Sequence, residues 1–167
     1  MDIIAKLKSL EHTLEFKDWQ AQHHGHYLVH AFKLLDEANK SIWQIGYYDK
    51  ETDTITTFVI EDGKELKIIP NLEIFKEEKA AIQKLDISKV KVNAQEAVDK
   101  AEAFLKEQYP GEVIVKTILI LQSIEHGQVY NLSFITKSVS TINIKLAADS
   151  GQVLEHHKIS LSDLKAQ

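Results

Sequence analysis

The chain has 167 residues, 44% of them apolar and 27% charged, the proportions of a packed globular protein and not of a disordered one. It carries 25 acidic residues against 20 Lys and Arg. No basic block stands out, so the clustered cations that displace counterions from phosphates are missing and no nucleic-acid partner is expected. The absence of cysteine excludes disulfides, thiolate catalysis and cysteine-based zinc sites.

At the N-terminus, Asp2, Lys6 and Lys8 interrupt Ile3, Ile4, Ala5 and Leu7 before the apolar core of a signal peptide can form. Nowhere does the sequence approach the roughly 20 apolar residues of a membrane-spanning helix. The expectation is a cytoplasmic protein with no membrane span, or an exported one if a leader has been removed.

Residues 3–19 are predicted to be helical, because Ile3, Leu7, Leu10 and Leu14 recur at three- and four-residue steps and form one stripe. Gly25 lies in a break over 20–26. Strands follow near 27–35, 42–48 and 54–61, with polar turns at 36–40 and 49–53. Asp62-Gly63 is the strongest hairpin signal, since glycine accepts the positive φ such turns demand. A short strand is expected within 64–69, ended by Pro70-Asn71. A second helix is expected over 72–85, with Leu72, Phe75, Ile82 and Leu85 apolar.

A third helix begins after Asn93, whose spacing to Glu96 resembles a capping box. Its buried stripe is Ala94, Ala97, Val98, Ala101, Phe104 and Leu105, and Pro110-Gly111 stops it. Strands are then expected near 113–123, 129–136 and 141–147. Asp149-Ser150-Gly151 makes a turn, Val153-Leu154 begins a short last strand, and the tail after His157 reads as a turn or short helix.

The two halves look alike. With Trp43 laid over Tyr130, the alternating residues Trp43, Ile45 and Tyr47 fall on Tyr130, Leu132 and Phe134. Ile55, Thr57 and Val59 fall on Ile142, Ile144 and Leu146; upstream, Leu28, Phe32 and Leu34 fall on Val115, Leu119 and Leu121. Residues two apart share one face of a strand, so both halves are expected to show one apolar face to a core. The fold class expected is therefore α+β, as two tandem units of a helix packed on an antiparallel β-meander. Residues 1–70 form the first unit, 71–87 a connecting helix and 88–167 the second unit.

The second half resembles a PepSY domain, the peptidase-propeptide module. AQEAVDKAEAFLKEQYPGE is similar to its helix. INIKLAADSGQVLEHH is similar to its closing hairpin, with Asp149, Gly151, Val153 and Leu154 at the matching positions. The resemblance implies a non-catalytic binding or regulatory module that engages a protein or peptide. It brings no catalytic residues and no cofactor.

The residues themselves point to little chemistry. The sequence shows neither a G-x-S-x-G nor a glycine-rich phosphate loop, so no enzyme is expected. His23, His24, His26 and His30 sit close together. The alternative is a metal-dependent small-molecule binder or cryptic enzyme built on that cluster, although the spacing matches no metal motif. Ser133 and Ser138 are read as strand-face and turn residues. If Trp43 and Tyr47 face the core, then Ile42, Tyr48, Phe58 and Ile60 share the other face. They form a candidate partner surface for a peptide, a protein or a second copy in a homodimer.

Overall fold

The computed structural model describes residues 2–39, 41–73 and 81–160. Their elements run α1 (Ile3–His12), α2 (Leu14–Gln22), β1 (Tyr27–Leu34), β2 (Ile42–Asp49), β3 (Thr54–Glu61), β4 (Lys67–Glu73), a 3-10 turn (Ile87–Lys89), α3 (Ala94–Gln108), β5 (Ile114–Ile124), β6 (Gly127–Thr136), β7 (Ser140–Ala147) and β8 (Val153–Ser160). The fold is α+β. All of these strands join one antiparallel sheet in the order β4-β3-β2-β1-β5-β6-β7-β8. Each half is a four-stranded meander running outward from the centre, where β1 pairs with β5, Phe32 opposite Ile120. No described helix is long and apolar enough to cross a membrane.

The first predicted helix is two helices, because Thr13 intervenes. Its side chain accepts a hydrogen bond from Phe16 N at 3.2 Å and donates to Leu10 O at 2.8 Å. A threonine that bonds the backbone on both sides caps one helix and starts the next. At α3 half of the expected box is present: Asn93 Oδ1 accepts from Glu96 N at 2.9 Å, while the Glu96 carboxylate pairs with Lys100 at 3.5 Å.

The helices cover one face of the sheet. Ile3, Leu7, Leu10 and Phe16 from α1 and α2, and Ala94, Ala97, Val98, Ala101 and Leu105 from α3, pack on Ala31, Trp43, Ile45, Phe58, Leu119, Leu121, Tyr130, Leu132, Phe134, Ile142, Ile144 and Leu146. Phe16 stands 5.3 Å from the Tyr47 ring and 5.2 Å from Phe58. Lys33 also points to this side, its Nζ 4.9 Å over the Trp43 ring, where burial draws the ammonium below the usual lysine range.

Four expectations need correction. The helix over 72–85 is not found in its described parts: Leu72 and Glu73 belong to β4 and 81–86 are irregular, while 74–80 lie outside the described residues. The short strand expected within 64–69 starts and ends later, at Lys67–Glu73. The last strand is longer than expected and runs to Ser160, so the segment just after His157 is neither turn nor helix. The fourth concerns faces. Ile45 pairs with Phe58 and Trp43 with Ile60, so Thr56, Phe58 and Ile60 turn to the helices, and Ile55, Thr57 and Val59 turn away. In β7 it is Ile142, Ile144 and Leu146 that face the helices, as Leu132 opposite Ile144 requires. Likewise Ala31 and Lys33 face the helices in β1, against Leu119 and Leu121 in β5. A fixed offset between the halves fails for β3 because the turn 50–53 is one residue longer than the turn 137–139, and for β1 because partners across β1–β2 lie an even number of residues apart, as Phe32 and Gln44 do, where those across β5–β6 lie an odd number apart, as Leu121 and Tyr130 do. One extra residue reverses every side chain in the next strand.

Candidate binding face of the sheet

An antiparallel sheet with helices on one face turns alternate residues to the other, and where that face meets water these are ordinarily polar. The outer half of the second meander obeys the rule. There β6 and β7 present Asn131, Ser133, Asn143 and Lys145. Asn143 Nδ2 donates to Asn131 Oδ1 at 2.6 Å and to Ser133 Oγ at 3.0 Å, and Lys145 pairs with Glu155 at 3.0 Å.

The centre of the same face breaks it. At the β1–β5 junction Phe32 lies opposite Ile120 and Leu34 opposite Ile118. Toward the other edge, Ile55 lies opposite Leu72 and Thr57 opposite Ile69. A cleft of about 440 Å³ opens here, walled by Phe32, Ile55, Leu72 and Ile120, with His30, Gln44, Thr57 and Gln122 among its polar groups. Leu72 is 42% exposed. One end of the face is closed by residues 81–83, where Tyr27 donates its hydroxyl proton to Ile82 O at 3.0 Å and Ser123 donates to Gln83 Oε1 at 3.3 Å.

His30 anchors the cleft. It stands opposite Gly46, and a Cβ at Gly46 would lie 2.3 Å from its Cε1. Only glycine leaves room for the ring. Burial pulls the imidazole below its ordinary pKa, so at neutral pH it is an uncharged donor and acceptor.

The expected partner patch is divided by the sheet. Ile42 and Tyr48 do lie on the bare face, with Tyr48 5% exposed, edge-on to Tyr27 at 5.5 Å and its hydroxyl on Asp53 Oδ1 at 2.6 Å. Phe58 and Ile60 are on the helix side. Phe58 is 0% exposed, beneath Phe16 and Trp19. Ile55, Thr57 and Val59 take the places expected for them.

The histidines are divided too. A bulge between Leu28 and His30 shifts the register of β1 and leaves His30 on the bare face. His23, His24 and His26 flank a cleft beside α2. His23 ends α2, stacked on Trp19 at 4.8 Å, with Nδ1 2.7 Å from Trp19 O. His26 stands edge-on to Trp19 at 5.1 Å, its Nε2 4.0 Å from Asp49 Oδ2. Burial, aided by His23 and opposed by Asp49, holds His26 below its ordinary pKa. Among the described residues no three metal-ligating side chains come together. Ser133 and Ser138 fall on the bare face and in a turn, as read from the sequence.

Phe32, Ile118 and Ile120 were not legible as one surface. The apolar run Ile118–Leu121 was visible, but its pairing with β1 joins residues far apart in sequence. Among the described residues, the fold and this face thus define an α+β protein with one sheet, helices on one side and a partly apolar face on the other. The chain matches no protein-family model, no curated protein and no solved structure.

Proposed function

We propose that this chain is a non-catalytic binding module of PepSY-like kind. In this reading its two helix-and-meander halves descend from one duplicated unit, and it engages a protein or peptide partner in the cytoplasm. The observation that carries the reading is the contrast within the bare face: polar where solvent would demand it, over β6 and β7, and apolar across Phe32, Leu34, Ile118 and Ile120. Apolar surface of this kind gains most from being covered. Gln44, Gln122 and uncharged His30 beside it offer hydrogen bonds to the main chain of an extended apolar segment.

The reading is tested by selecting displayed peptides on the immobilised protein and on a Phe32→Glu/Ile120→Glu variant. The expected result is enrichment of apolar sequences on the native protein and their loss on the variant, with unchanged circular dichroism. Identical selections on both proteins would overturn it. Should a second copy be the occupant, sedimentation would show a dimer that the same variant dissociates.

A further inference from the structure

The two edges of the sheet are built differently. At one edge β4 carries Pro70 within the strand, Asn71 follows with φ 56°, and the register against β3 shifts between Ile55 and Thr57. A missing N–H, a left-handed residue and a bulge each spoil an edge for further pairing. At the other edge β8 runs from Val153 to Ser160 with neither proline nor glycine, and its pairing with β7 is regular from Glu155 to Ser160. No described strand lies beyond it. An open edge of this kind turns alternate N–H and C=O groups outward and is a template for another strand.

The strand β8 is held in place from both faces. On the helix side the His156 ring lies 4.9 Å from Phe104, with Nδ1 2.7 Å from the Tyr109 hydroxyl, and Lys158 pairs with Glu112. On the bare side Glu155 accepts from Lys145 at 3.0 Å and stands 3.7 Å from His157 Nδ1. Leu154 and Ile159, 47% and 43% exposed, flank this polar centre.

A second copy of the chain fits this edge. When a two-fold axis pairs two antiparallel β8 strands, opposed residues must point to the same face, so the axis passes through a single residue. Centred on Glu155 or Lys158, the axis sets like charges against each other. Centred on His157, it sets Glu155 against Ile159 and gives the carboxylate no opposite charge across the strands. Centred on His156, it sets Glu155 of each copy against His157 of the other, and Leu154 against the aliphatic stem of Lys158. We infer that the protein forms a two-fold dimer through β8 in this last register, joining the two sheets into one with the helices of both copies on the same side. The same edge serves both copies, as a two-fold interface requires. It lies apart from the apolar centre of the bare face and stands independently of the reading given for that face.

The test is sedimentation velocity of the full chain from about 5 to 500 µM, the span expected for an interface of modest area. A monomer–dimer equilibrium should appear. His157→Glu sets carboxylate against carboxylate twice across the axis, and Glu155→Lys sets a cation against each imidazole. Each variant should weaken dimerisation about tenfold or more, with unchanged circular dichroism. Mixed in equal amounts, the two variants should dimerise again, because each substituted position then meets its opposite charge or an imidazole's carboxylate partner on the other chain. A protein that stays monomeric throughout the range would overturn the assignment. So would a dimer that neither edge variant weakens, or variants that remain apart when mixed. A dimer lost in Phe32→Glu/Ile120→Glu and kept in both edge variants would place the contact on the bare face instead.

Discussion

The imidazole of His30 occupies the space in which a side chain at Gly46 would have to stand, its Cε1 only 2.3 Å from the position of a Cβ there. In a strand, replacing glycine by alanine is ordinarily favourable by roughly 0.5–1 kcal/mol. Here the sign should reverse. Gly46→Ala is expected to destabilise the protein by about 1–3 kcal/mol, the usual cost of overpacking. Adding His30→Ala should recover most of that loss. Urea unfolding of the two single variants and the double variant checks this through the coupling term.

Acid should weaken the fold before the carboxylates titrate. His30 and His26 both have folded pKa values below the ordinary 6.5, each chiefly through burial. The unfolded chain therefore binds more protons than the folded one as pH falls through 6.5, and stability drops. Above 6.5 this contribution is fully present; below the folded pKa values the loss levels off. Unfolding midpoints from about pH 8 to pH 5 should fall, and less steeply in His30→Gln. A profile flat across that range would contradict the burial of both rings.

Val139 sits in the turn between β6 and β7 with φ 58° and a side chain 57% exposed. A β-branched residue in the left-handed region is strained by about 1–2 kcal/mol, and this one has little packing to lose. Val139→Gly or Val139→Asn should therefore stabilise the protein by about 1 kcal/mol. Thermal unfolding would register a rise of a few degrees. Val139→Thr, equally branched, should give no gain.

What the sequence revealed was local. The start of α3 was readable because Asn93 and Glu96 stand three residues apart in the chain, and most strands were readable from alternation within a few residues. Missed features depended on distance or on counting. Which face Phe58 occupies is set by the length of the turn 50–53, and an error of one residue there moved Phe58 and Ile60 onto the wrong side. Thr13 broke a continuous apolar stripe through two hydrogen bonds that periodicity does not register. The site itself rests on Phe32 meeting Ile120, a contact that no local pattern announces. The histidine cluster looked compact in sequence, yet a single bulge sends His30 through the sheet, away from His23 and His26.

The central claim is that the apolar centre of the bare face is covered by another polypeptide. The most direct measurement places a photo-reactive benzophenone side chain at position 120, with position 133 in the polar half of the same face as the control. Irradiation in cell extract should join position 120 to a second chain, a partner or another copy, and leave position 133 largely unreacted. Cross-links from 120 only to its own chain, or equal yields at the two positions, would contradict the account.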